Sequence, residues 1–262
     1  ALSDLTPLAG LTQLFYLDLE NNRIIDIAPL SGLVNMEYLQ VKDNQITTLT
    51  ALSGMTKLAH LDLDHNKVSD VTPLASLRNL EFLDFADNSV YDLSPLAELS
   101  KLELLDADEN RVVDLTPLTG MTGLRRLDLH ANRIIDLTPL KDLPLTGLEV
   151  QNNFLDISPG SLTDLLIMAA RARVEYGYGT GAPQRTFPLR ITRSSAGVRL
   201  VCEGFRGLHY DLQGSSSLTD WPDAPLQSFS GADAETAMEL PLSGQAASRF
   251  FRLKVSMEPR NP

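Results

Sequence analysis

An asparagine returns every 22 residues through the first half of the chain, at Asn22, Asn44, Asn66, Asn88, Asn110 and Asn132, and Asn153 follows one residue early. A fixed period of this length is the mark of stacked repeats, in which no unit buries its apolar face alone and neighbours complete one another's core. An apolar frame precedes each asparagine, as in Leu14, Leu17, Leu19, Asn22 and in Leu58, Leu61, Leu63, Asn66. The unit reads L-x-x-L-x-L-x-x-N-x-ϕ-x-D-ϕ-x-P-L, where ϕ is apolar.

Each part of the unit has a physical reading. Leu17 and Leu19, two residues apart, predict a short strand with one face inward, and one such strand per repeat builds a parallel sheet. The asparagine falls where the chain leaves the strand, and its amide is suited to satisfying backbone groups that the turn would bury unpaired. Asp70-Val71-Thr72-Pro73-Leu74 and Asp114-Leu115-Thr116-Pro117-Leu118 predict a helical start, with Thr as N-cap and Pro at the first helical position. Too few residues remain before the next strand for a long helix, so single 3₁₀ turns are expected on the convex side. Repeat two carries Thr48 and Ala51 where Asp and Pro stand elsewhere, and its turn is expected to be less firmly fixed.

With these motifs the chain resembles the leucine-rich repeats of the internalin family of bacterial surface proteins over roughly residues 1–160. The resemblance implies a curved α/β solenoid, with a parallel sheet on its concave face and 3₁₀ turns on its convex face. It implies binding of proteins and no catalysis. Internalins begin with a helical cap, whereas this chain starts inside a repeat at Leu5-Thr6-Pro7-Leu8. Leu5, Leu8 and Leu11 are therefore expected at an open solenoid end, the strand around Leu17 at an unprotected edge, and an N-terminal portion is expected to be missing.

The strand register decides which residues face outward. With Leu17 and Leu19 inward, three outward columns follow. The first is Tyr16, Tyr38, His60, Phe82, Leu104, Arg126 and Gly147; the second is Asp18, Gln40, Asp62, Asp84, Asp106, Asp128 and Glu149. The third is Glu20, Lys42, Asp64, Ala86, Asp108, His130 and Gln151. Neighbouring strands lie about 4.8 Å apart, so adjacent carboxylates repel by roughly 0.9 kcal/mol even at the dielectric constant of water. An acidic column also serves as a solvated face that keeps a sheet from aggregating. The apolar first column is harder to explain that way, because aromatic anchors beside charges are what protein-binding surfaces use. The candidate ligand-binding residues are Tyr16, Tyr38, His60, Phe82 and Leu104, with Asp62, Asp64, Asp84, Asp106, Asp108 and Asp128.

Charge points the same way. Residues 1–176 hold 26 acids and 13 bases, net −13, while residues 177–262 hold 8 and 9, net +1. A field of this sign disfavours nucleic acid and favours a protein or peptide with a basic surface. A carbohydrate ligand on the same face is the alternative, since aromatic rings flanked by carboxylates also suit sugars. A divalent-metal or hydrolytic site around His60, Asp62, Asp64, His65 and Asp84 is a third reading, but no catalytic signature accompanies it. No cofactor and no enzyme activity are expected. The single cysteine, Cys202, excludes an internal disulfide, and no stretch is long and apolar enough to span a membrane.

Beyond the repeats, Ser161-Leu162-Thr163-Asp164 opens a predicted cap helix and Val174-Glu175-Tyr176 a final strand, closing the solenoid at residue 176. A Gly-rich linker is expected over residues 177–186. Alternating runs near 187–193, 197–202, 207–213, 225–229, 235–241 and 249–255 predict a small all-β sandwich over 187–262. Cys202 and His209 are expected to be core and strand residues there, and Trp221 a packing anchor. A solenoid followed by an immunoglobulin-like β-domain is again the internalin arrangement. Tyr210-Asp211-Leu212-Gln213, Ser217-Leu218-Thr219-Asp220-Trp221 and Arg249-Phe250-Phe251-Arg252-Leu253 also resemble β-domains of secreted planctomycete–verrucomicrobial proteins. The resemblance implies an extracellular or cell-surface protein.

Overall fold

The computed structural model describes residues 1–155 in full and, beyond them, the backbone of six strands between residues 189 and 257. The chain divides into two units, Ala1–Gln184 and Arg185–Pro262.

In the first unit the 22-residue period becomes a seven-stranded parallel sheet whose strands lie side by side in chain order. They are β1 (Tyr16–Asp18), β2 (Tyr38–Gln40), β3 (His60–Asp62), β4 (Phe82–Asp84), β5 (Leu104–Asp106), β6 (Arg126–Asp128) and β7 (Gly147–Glu149). Equivalent residues pair across every step, Leu39 with Leu61 and Leu61 with Leu83, so each repeat position becomes a straight column. The inward leucines are buried from Leu39 onward, and Phe85 is followed one repeat later by Ala107, a large and a small side chain sharing one layer of the core.

The asparagines hold the stack together. Asn44 Nδ2 donates to its own repeat at Val41 O and Lys42 O and to the preceding repeat at Leu19 O, each at 3.0 Å, while its Oδ1 accepts the Ile24 N–H at 2.9 Å. Asn66, Asn88, Asn110, Asn132 and Asn153 repeat this set. The residue before each asparagine turns the chain through the left-handed region: Asn21, Asp43, His65, Asp87, Glu109, Ala131 and Asn152 have φ between 44° and 56°. That turn brings the amide under the strand end, where backbone carbonyls wait. The last repeat is one residue short because Met121-Thr122-Gly123-Leu124 is matched by Leu143-Pro144-Leu145, and the asparagine bonds survive the loss.

A 3₁₀ turn precedes the first asparagine, at Thr6–Leu8, and another follows each asparagine from Asn22 to Asn132, as at Ala28–Gly32, Thr72–Ser76 and Thr116–Leu118. The sequence assigned the N-cap to the Thr or Ser before Pro, and this is corrected. The cap position is one residue earlier, at Leu5, Val71 or Leu115, with no side-chain capping bond. The acceptor is instead the repeat's aspartate: Asp70 Oδ1 takes the Thr72 N–H at 2.8 Å, and Asp26, Asp92, Asp114 and Asp136 do the same. An aspartate two residues upstream reaches the free N–H of a turn too short to offer its own cap a partner. Thr48 makes no such bond, yet the turn Thr50–Leu52 forms, closed by Leu52 N–H to Leu49 O at 2.9 Å.

At the first repeat, β1 is an edge strand, and Leu2, Leu11, Phe15 and Tyr16 are exposed. Leu5 departs from the expectation of an open position: it is only 1% exposed, because it takes the inward place that Ile27 fills one repeat later.

The second unit contains β8 (Leu189–Arg193), β9 (Gly197–Gly204), β10 (Leu208–Ser215), β11 (Gln227–Ser230), β12 (Ala234–Pro241) and β13 (Phe250–Met257). They form two antiparallel three-stranded sheets, ordered β12-β9-β8 and β11-β10-β13. The predicted cap helix and strand at 161–176, the linker at 177–186 and Trp221 lie outside the described residues.

Candidate functional site

The outward columns are in register. Tyr16 pairs with Tyr38, Tyr38 with His60, His60 with Phe82, and Phe82 with Leu104. The four rings form a continuous stack with centroids 4.5, 4.1 and 4.0 Å apart and planes within 14°. Rings carried on a flat sheet would keep the backbone spacing of about 4.8 Å. Their closer approach means that the side chains lean together over β1 to β4. Tyr16 is 51% exposed and the other rings are half-buried, with Leu104 extending the row. Because the rings stack on one another, they turn their edges outward. The row ends at Arg126 and Gly147, where a Cβ on Gly147 would stand 3.2 Å from Arg126 Cγ.

The second column runs beside the rings and has two jobs. One oxygen of Asp18, Asp62, Asp84, Asp106 and Asp128 accepts the backbone N–H two residues on, at 2.9–3.1 Å, which fixes the exit from each strand. Gln40 replaces the acid in β2, accepts from the Tyr38 hydroxyl at 2.7 Å and donates to Glu20 at 2.5 Å. Burial is the main cause that raises the carboxyls of Asp62 and Asp106 above the usual range. Burial, reinforced by neighbouring carboxylates, pushes Asp84 and Asp128 up to about 7. Burial also lowers the His60 imidazole between its two ring neighbours.

In the third column Asp64 is 5% exposed and already occupied, bonded to Lys42 Nζ and, at 2.5 Å, to His65 Nδ1. His65 Nε2 lies 3.4 Å from Asp87, and Asp64 raises its imidazole. Asp108 is held at about 6, chiefly by burial, with His130 opposing. Asp108 Oδ1 and Gln151 Oε1 are buried without a hydrogen-bond donor. The predicted residues thus come together as three adjoining rows on one face, with Asp64 and Asp108 in the third, and Asp64 spends its oxygens internally. Reading the sequence put Gln151 in the third column without choosing it as a binding residue, and it passed over Asp43, Asp87 and Glu109, which line up with His65 in the left-handed column one step beyond the third.

Among the described residues, no group of three or more His, Cys, Asp or Glu is placed to hold a metal ion. Nor is any helix among them long and apolar enough to cross a membrane.

A family model described as leucine-rich repeats in two copies matches residues 12–54 and again 34–76. No curated protein matches the chain. Among solved structures, the chain is similar to internalin C2 of Listeria monocytogenes, at 39% identity and a TM-score of 0.56, over 57% of this chain and 66% of that one. It is similar to internalin F of the same organism, at 32% identity and a TM-score of 0.61, over 67% of this chain and 52% of that one. The chain thus spans just under two thirds of one relative and about half of the other. A structure described as PEPR1-AtPEP1 shares the fold at 24% identity and a TM-score of 0.56, over 71% of this chain and 27% of that one.

Proposed function

We propose that this internalin-like leucine-rich-repeat chain is a non-catalytic recognition module of the cell surface or extracellular space, binding a protein or peptide through the outer face of its parallel sheet. The observation that carries the reading is the ring stack from Tyr16 to Phe82 beside a row of carboxylates. Stacked rings are a rigid apolar strip that loses little conformational entropy when a partner covers it, and the acidic row selects partners of opposite charge. Tyr16, Tyr38, His60, Phe82 and Leu104 supply the anchor. Asp62, Asp84, Asp106, Asp108 and Asp128 supply the field.

Similarity to the two internalins supports the choice of a recognition role over an enzyme. The stacking argues against the carbohydrate alternative: a sugar packs on a ring face, and both faces of Tyr38 and His60 are taken by neighbouring rings. The second unit, with its two three-stranded sheets, is read as a β-sandwich of immunoglobulin-like type that supports or attaches the solenoid.

Panning a random peptide library against the chain tests the proposal. Selected peptides are expected to combine basic with apolar residues, and Tyr38→Ala with Phe82→Ala to weaken them about tenfold or more. Peptides that bind the double variant as well as the parent would sink the ring row as anchor.

A further inference from the structure

The rows change character along the sheet. From β1 to β4 the face is dominated by rings, whereas from β5 to β7 it presents acceptors: Asp106, Asp108, Asp128, Glu149 and Gln151. Asp106 and Asp128 each give one oxygen to a backbone N–H and make no ion pair among the described residues, in contrast to Asp64 with Lys42. Arg126, the cation of this end of the face, pairs with none of them.

Two further atoms make this more than a patch of acids. Gln151 is 6% exposed, its Oε1 receives no donor, and the repeat register puts it on the same outward side as Asp108 and His130. Asp108 Oδ1 is likewise buried and without a donor. Buried acceptors of this kind are normally satisfied, so each calls for a hydrogen-bond donor from outside the solenoid. The carboxyls of Asp108 and Asp128 are raised chiefly by burial, and neighbouring carboxylates add to the rise.

We infer that the β5–β7 end of the face is a subsite for a cationic side chain of a polypeptide partner, with Asp106, Asp108, Asp128 and Gln151 as its acceptors. The guanidinium of an arginine fits best, because it carries five donors and bonds carboxylates at about 2.7–2.9 Å, reaching between neighbouring strands. A metal ion is the poorer match, since no group here is placed to coordinate one. The inference rests on the sheet face being the binding surface and adds a division of labour. A partner would present its apolar residues to the rings and its arginine about 10 Å away, two strands along from Phe82.

Calorimetric titration of the full chain with hexa-arginine at low salt tests this without involving the rings. The triple variant Asp106→Asn, Asp108→Asn, Asp128→Asn keeps the oxygens that accept backbone N–H groups, and its melting curve checks folding. It is expected to lose about tenfold or more in affinity, and Gln151→Leu several-fold. The control Glu37→Gln, Glu81→Gln, Glu103→Gln removes the same charge from exposed positions outside the columns and is expected to lose about twofold at most. Equal losses in both triple variants, or no binding by the parent, would overturn the subsite while leaving the ring row to its own test. Displacement of the peptide by millimolar-range calcium chloride would reassign the site to a metal.

Discussion

At the scale of single residues, the asparagine is the most consequential side chain in the repeat. Asn132 is fully buried and joins the Val112 N–H to the carbonyls of Ala107, Leu129 and His130. Asn132→Ala leaves these backbone groups without partners and is expected to cost about 2–4 kcal/mol in urea unfolding, each unsatisfied buried group costing roughly 1–3 kcal/mol. Asn22→Ala, at the partly exposed first repeat, is expected to cost less. The asparagine's role was legible because it recurs in every repeat where the chain leaves the strand. The aspartate of the second column was half legible: its outward direction follows from alternation, but its bond to the N–H two residues on depends on the strand ending at once after three residues.

At the scale of the element, every described 3₁₀ turn but Thr50–Leu52 is held by an aspartate before it. Repeat two offers a natural gap, and Thr48→Asp is expected to supply the missing acceptor for the Thr50 N–H and raise stability by about 0.5–1 kcal/mol. Thermal melts against Asp70→Ala, which removes the same bond from repeat three, measure both signs; a neutral or destabilising Thr48→Asp would refute the role. The Thr-Pro pair points to the turn but misplaces its cap. A helix N-cap and a turn preceded by Asp read alike in sequence, and only the chain direction after Val71 or Leu115 separates them. Strand length is a similar case. Leu17 and Leu19 imply alternation over several residues, whereas the regular strand stops at Asp18 and the chain turns left-handed at Asn21, whose N–H still reaches Lys42 O at 3.1 Å.

At the scale of the whole molecule, the charge that marks the sequence becomes a dependence on pH. Asp84 and Asp128 near 7 and Asp108 near 6 bind protons more tightly in the folded chain than unfolded, where their value is 3.8. Stability is therefore expected to fall as pH rises from about 4 to 7, and the raised His65 adds to the loss as it gives up its proton. His60, lowered by burial, works the other way below neutrality, and Asp4 and Asp70 below the carboxylate range. The melting temperature is expected to be higher near about pH 5 than about pH 8, and Asp84→Asn with Asp128→Asn to raise it at the alkaline end. A melting temperature that climbs between those two conditions would contradict the placement of the acidic row. Net charge made a cationic partner legible in the sequence, but not the raised proton affinities, which come from columns meeting in space. Strand order was legible for the same reason that repeats are: each unit has only its neighbours to pair with. One property of the asparagine ties follows from their arithmetic. Every bond runs within a repeat or back to the one before it, so cutting out 22 residues between two equivalent points rejoins the same donors to the same acceptors. Lineages carrying such a chain can lengthen or shorten it by recombination without inventing a new contact, and the number of rungs offered to a partner becomes a heritable dimension separate from the chemistry written on them.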